Sequence, residues 1–311
     1  MSSATAQFFT RRSVVFACAT LACLLWGSAY PSIKSGYALM HILSGDIPGK
    51  LLFAGYRFFF AGLVLLVFCA FSGRKLRLQS WQQAGEVCLL GLLQTSLQYV
   101  FFYIGLAYTT GVKGSIMNGT GTFFSVLMAH FIYHNDRLSV ARVIGCLVGF
   151  GGVMVVNLSP DLLDFHFSLA GEGSVVLAAF ILSVGGIYGK RISQKMDSIT
   201  LTGYQLTFGG AVLLAAGWLG GGHLEAFTLA SGSLMAYMVF LSAVAFALWT
   251  ILLKFNRVGM ISVFNFLIPI FGAALSAIFL GERIFEWKNL LALILVCGGI
   301  WLVTKEPKAA P

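Results

Sequence analysis

A positive charge stands inside an apolar stretch at Arg57, with Phe58, Phe59 and Phe60 beside it. A guanidinium there reads as an anchor for a substrate carboxylate or as a tie between two helices, with snorkelling to a membrane surface as the alternative. Two amides, Asn118 and Asn265, lie midway along other apolar stretches. Pro269, four residues after Asn265, removes the helical hydrogen bond to the Asn265 carbonyl, so a free carbonyl and a side-chain amide would share one polar spot. Gln94, Gln98 and Tyr99 fall roughly on one helix face, with Tyr103 one turn on. Lys34 follows Pro31, where it could face the mouth of a cavity or snorkel. Trp26, Tyr30, Tyr99, Tyr103, Tyr188 and Trp249 are candidates to line a pocket for apolar or aromatic groups, or to pack and form an interfacial belt. The candidate proton sites, Glu86, His130 and Glu282, all lie near the ends of apolar stretches, and no acidic residue sits in the middle of one. That favours a facilitator or exchanger over a strict proton antiporter.

The elements that carry these residues follow from composition. Of 311 residues, 58% are hydrophobic and 10% charged, against about 25% charged in a soluble domain. Mean hydropathy is +0.88. A cytosolic enzyme, a secreted disulfide scaffold and a disordered regulator are excluded. Apolar runs separated by short polar breaks predict ten spans, near 13–33, 51–72, 84–107, 112–133, 140–158, 172–190, 200–220, 233–253, 259–280 and 287–304. They must be helices, because lipid offers backbone groups no partner and the alternation of a barrel strand is absent. The six Cys lie in apolar stretches without ligand spacing. No phosphate-binding loop, H-E-x-x-H or G-x-S-x-G occurs. No catalytic residue, metal site or cofactor is expected, and the chain does not read as an enzyme.

The net charge of +9 would suggest nucleic acid in a soluble protein, but here it reads as the positive-inside bias. Fourteen Lys and Arg fall on the side of the N-terminus: Arg11, Arg12, Arg74, Lys75, Arg77, Arg137, Arg142, Lys190, Arg191, Lys195, Lys254, Arg257, Lys305 and Lys308. Five fall on the other: Lys34, Lys50, Lys113, Arg283 and Lys288. The bias predicts both termini in the cytoplasm and an even number of spans. Arg11-Arg12 before the first apolar run has the outline of a twin-arginine signal, but the run continues through Trp26 and reads as the first span.

The chain also repeats. Tyr56 to Val67 matches Tyr204 to Ala215, 148 positions on, at six of twelve places. Asp136-Arg137-Leu138 recurs as Glu282-Arg283-Ile284, Gly151-Gly152-Val153 as Gly298-Gly299-Ile300, and Asn118 as Asn265, at offsets of 146 or 147. Two units of five spans result, 13–158 and 172–304. They are flanked by a cytoplasmic N-terminus (1–12), an extracytoplasmic connector (159–171) and a cytoplasmic tail (305–311). Five is odd, so the second copy is inverted in the membrane. Such inverted-topology repeats bind substrate near the midplane, where the halves meet.

Several features together resemble the drug/metabolite transporter superfamily, specifically its ten-span EamA-type exporters: Trp26-Gly27-Ser28 with Lys34 in the first span, Arg57 early in the second, and Gly281-Glu282-Arg283-Ile284 after the ninth. The first half departs by carrying Asn135-Asp136 at the acidic step. The resemblance covers about 13–304 and implies a multi-pass protein of the bacterial inner membrane that exports small metabolites, often amino acids, through a central cavity. Its partners would be a small-molecule substrate and the bilayer, with proton coupling open and a monomer expected over an obligate oligomer. The alternatives are a flippase or exporter of a lipid-linked intermediate or drug, and a non-transporting partner subunit.

Overall fold

The computed structural model describes residues 3–158, 167–225, 227–280 and 287–305, and every regular element among them is helical. A short helix, Ser3–Phe9, leads into α1, Arg12–Leu39. Then follow α2 (Ile47–Phe71), α3 (Trp81–Tyr108), α4 (Gly111–Ile132) and α5 (Val140–Val156). The rest are α6 (Leu169–Ser193), α7 (Ser198–Leu219), α8 (Leu229–Phe255), α9 (Val258–Leu280) and α10 (Trp287–Lys305). Eight of these ten are long and apolar enough to cross a membrane. The other two are α4, studded with Ser115, Asn118, Thr120, Thr122 and Ser125, and α5, only 17 residues long.

Helix starts are set by side chains that satisfy first-turn N–H groups water would otherwise serve. Ser80 accepts from the Gln83 N–H, Thr110 from Lys113, Ser139 from Arg142 and Asp197 from Ile199 and Thr200. Asp46 accepts from Gly49, with Pro48 pre-setting the first turn of α2, and Thr228 forms a reciprocal capping box with Ser231. Helix ends fall within a few residues of expectation except in α1, which runs through Pro31 to Leu39, past the expected end at 33. Pro31 removes one hydrogen bond but leaves the helix unbroken, because the turn before it is clamped on α9. A Cβ on Gly27 would lie 2.6 Å from Phe271 Cβ.

The helices pair in a regular pattern. α2 packs along α7 and α5 along α10, while α1 lies against α8 and α9, and α6 against α3 and α4. At the α2–α7 crossing the backbones nearly touch: a Cβ on Gly62 would sit 2.3 Å from Thr207 N, and one on Gly210 would sit 2.3 Å from Phe59 N. Only glycine permits that approach.

One turn of α3 is irregular. Leu92–Leu97 is a π-helical turn, which holds one residue more than an α turn. α3 opens at Trp81 and α8 at Leu229, 148 positions on; they close at Tyr108 and Phe255, 147 on. The offset therefore changes by one residue inside α3, and the π turn holds the extra one.

Candidate functional site

A central cavity of about 270 Å³ lies among α1, α2, α3, α4, α6, α8 and α9, with Val153 of α5 at its edge. From α1 it is lined by Trp26, Tyr30, Ile33 and Tyr37, spaced by four, three and four residues, one face of a helix. α2 contributes Lys50 and Arg57, two turns apart. The walls from α3 and α8 correspond position by position: Tyr99, Phe102, Tyr103 and Leu106 face Phe246, Trp249, Thr250 and Leu253, each 147 later. So do those from α4 and α9: Ser115, Asn118, Gly119 and Thr122 against Ser262, Asn265, Phe266 and Pro269.

Arg57 is 2% exposed. Its Nε–H donates to Ser242 Oγ at 2.6 Å, and its guanidinium carbon lies 4.9 Å from the centre of the Phe58 ring. Among the described residues no carboxylate pairs with it, and none lines the cavity. It is close enough to Tyr37, Tyr99 and Tyr103 to act on all three hydroxyls electrostatically. A counterpart contact exists in the other half, where Gln205, 148 positions after Arg57, donates to Thr95 Oγ1 at 3.1 Å, 147 positions before Ser242. That contact is buried and off the cavity, so only one of the two related positions presents a charge to it.

The walls are aromatic. Trp26 meets Trp249 edge-on at 5.1 Å and Phe246 at 5.3 Å, and Tyr99 stands 4.6 Å from Phe58 and 5.9 Å from Tyr103. Asn118 and Asn265 both line the cavity, and neither side chain hydrogen-bonds another described residue, so both amides are available to a ligand. A 3₁₀ turn at Val263–Phe266 holds Asn265 one turn ahead of Pro269, where the proline weakens the helical ladder.

Of the residues singled out from sequence, Trp26, Tyr30, Arg57, Gln98, Tyr99, Tyr103, Asn118, Trp249 and Asn265 meet around this cavity. Lys34 is exposed and off the lining. Tyr188 lines a separate, wider vestibule of about 1040 Å³ at the end of the bundle where α1 begins. Glu86 pairs with Lys195 at 3.2 Å, and His130 Nδ1 accepts the Leu138 N–H at 3.0 Å; neither reaches the central cavity. Glu282 lies outside the described residues. Sequence reasoning missed Lys50, Tyr37 and Ser242. Lys50 is two turns from Arg57 on the same face, and Tyr37 continues the Trp26–Tyr30 face, so helical spacing carried a signal for both. Lys50 is buried and donates to the Ser44 carbonyl.

The vestibule is basic. Lys190, Arg191, Lys195, Lys254 and Arg257 line it. Lys190 donates to the Leu253 and Asn256 carbonyls at the end of α8, and Lys254 donates to the Met196 carbonyl at 2.9 Å. Ile187 borders both chambers, and the buried Leu253 and Val258 line the central one. Beside the vestibule, Asp136 caps α9 by accepting the Gly259 N–H at 2.9 Å and pairs with Arg142 at 2.8 Å, both side chains being buried.

A bundle of apolar helices around an aromatic-walled cavity that holds a few polar groups is the geometry of a carrier, and the comparisons agree. The EamA-like transporter family model matches residues 13–158 and again 169–305. This chain belongs to the EamA-like transporter family. It is thus a multi-pass membrane protein of a transporter family. It is 28% identical to the uncharacterized transporter YvbV of Bacillus subtilis, over 92% of this chain and 90% of that protein. It is 25% identical to a chloroplastic WAT1-related protein of Arabidopsis thaliana, over 89% of this chain and 66% of that one. A solved crystal structure at 20% identity shares the fold, with a TM-score of 0.79 over 95% of this EamA-like chain and 98% of the other.

Proposed function

We propose that the chain is a secondary transporter. It exports small amphipathic metabolites, of amino-acid size and carboxylates among them, by alternating access through the central cavity. In this reading ten helices cross the membrane as two five-helix repeats of opposite topology, 13–158 and 172–304, with both termini and the basic vestibule in the cytoplasm. The helix pairings support it. Exchanging α1–α5 with α6–α10 maps α2–α7 and α5–α10 onto themselves, and maps the contacts of α1 with α8 and α9 onto those of α6 with α3 and α4. Two such bundles can rock about a fixed site, opening it to one side at a time.

The observation that carries the reading is the matched lining. Asn118 and Asn265 occupy corresponding places, both face the cavity, and neither amide is used by the protein. Both amides are partly exposed and line the cavity, and an amide in the apolar interior of a membrane protein is expensive to keep unless water or a ligand answers it. Counterflow in proteoliposomes tests this. Vesicles loaded with an unlabelled panel of amino acids and related carboxylates should accumulate labelled substrate saturably, and N118A and N265A should lose flux while eluting as folded monomers. A variant pair that transports as well as wild type, with substrate found, would refute the placement of the site.

A further inference from the structure

We infer that the central cavity selects a monoanionic carboxylate with a flat apolar body and no compensating ammonium. This narrows the proposed transport function and rests on it. Arg57 is buried, held by a single hydrogen bond from its Nε to Ser242, and its two terminal nitrogens donate to no described residue. The groups gathered around it are also donors: the hydroxyls of Tyr37, Tyr99 and Tyr103 lie within its field, and the enclosed Tyr37 hydroxyl lies beside that of Tyr103. Lys50 adds a second cation on the same face of α2. This end of the cavity therefore offers N–H and O–H groups with no carboxylate among its described lining residues, Asp46 acting on Lys50 from outside the lining.

Two properties of the ligand follow. The donor cluster matches the two oxygens of a carboxylate, which accept in the plane a guanidinium presents. Net charge separates the ligand classes. A zwitterion leaves the occupied site as positive as the empty one, whereas a monoanion neutralises Arg57. In a low-dielectric chamber that difference dominates over the neutral amides that could solvate an ammonium. The body of the ligand is set by the adjoining aromatic wall, where Trp26 meets Trp249 at 5.1 Å and Phe246 at 5.3 Å.

The test uses three compounds with one carbon skeleton: 3-phenylpropanoate, phenylalanine and phenethylamine. They are an anion, a zwitterion and a cation. Counterflow of each labelled compound is measured in proteoliposomes, and binding to detergent-solubilised full-length protein is followed by quenching of tryptophan fluorescence. The expected result is 3-phenylpropanoate favoured over phenylalanine at least tenfold in apparent affinity, with no saturable signal for phenethylamine. R57Q should abolish the preference and R57K should retain part of it. If R57Q fails to fold, S242A, which leaves the charge and loosens its position, should lower the preference severalfold. Equal or better handling of phenylalanine or phenethylamine overturns the inference and leaves the transport reading standing. Selective binding of 3-phenylpropanoate without counterflow supports the anion site and sinks the transport reading. Absence of both binding and counterflow for 3-phenylpropanoate overturns the inference.

Discussion

Replacing Gly210 by alanine tests how the closest helix crossing positions the cavity. The new methyl would lie 2.3 Å from Phe59 N and 2.7 Å from its Cα. Both are backbone atoms of α2, so no side chain can swing aside. Restoring ordinary van der Waals separation moves α2 away from α7 by about 1 Å. Phe59 is two residues from Arg57 on the same helix, so Arg57 moves with it, and its 2.6 Å bond to Ser242 stretches beyond hydrogen-bond range. Overpacking of this kind costs about 1–3 kcal/mol, and a hydrogen bond to a charged group is worth about 1.5–3 kcal/mol. The expected outcome is a clear drop in the melting temperature of the detergent-solubilised protein together with a roughly tenfold higher KM in counterflow. G232A is the control, since a Cβ there meets nothing within 4 Å. A G210A protein with wild-type melting temperature and KM would show that the crossing does not position Arg57, and the reasoning would fail.

Other predictions follow from the same geometry. Adjacent glycines on α10 should respond with opposite sign: G298A, in open space, should stabilise by up to about 1 kcal/mol, whereas G299A, whose methyl would lie 2.5 Å from the Gly145 carbonyl oxygen, should lower the melting temperature. Equal effects from the two would refute the α5–α10 packing. D136A removes the carboxylate that pairs with the buried Arg142 and uncaps α9, so it should cost about 3–5 kcal/mol, and the D136A/R142A double variant should recover part of that in a denaturation cycle. E86Q removes a partly exposed ion pair and should leave flux unchanged and stability within about 1 kcal/mol. Among the described residues no Asp, Glu or His lines the cavity, and no other lining type ordinarily titrates between about pH 5 and 8. Counterflow should therefore be flat across that range and indifferent to an imposed pH gradient; gradient-driven accumulation would be the contrary result.

Much of the helix layout was legible because membrane-spanning segments announce themselves by length and apolarity, and because Ser80, Thr110, Ser139 and Asp197 mark where helices begin. Arg57, Asn118 and Asn265 stood out because a polar group in an apolar run is expensive wherever it points. What local pattern could not supply was a third dimension. Lys34 and Lys50 look alike along the chain, yet one faces out and the other lines the cavity. Ser242 is an unremarkable small residue until α8 is laid against α2, 185 positions away, and it becomes the group that holds the charge. Glu86 and His130 were candidates on chemical type alone, and their partners lie at the bundle end, out of reach of the chamber.

The irregular turn of α3 has a further meaning. Length changes in proteins are ordinarily confined to loops. An added residue inside an α-helix would rotate everything after it by about 100° about the axis. In α3 that rotation would carry Tyr99, Phe102 and Tyr103 from the chamber toward the lipid. The π turn absorbs the extra residue locally, so the faces before and after it keep their phase, and Tyr99 still answers Phe246 as Phe102 answers Trp249. The Ser96 hydroxyl, inside the widened turn, donates across to the Gly209 carbonyl on α7 at 3.0 Å and pins the bulge to its neighbour. A one-codon insertion or deletion thus separates the two walls, written into the middle of one of them without disturbing what either presents. Excising one residue from Leu92–Leu97 would erase the scar and leave the binding face where it is.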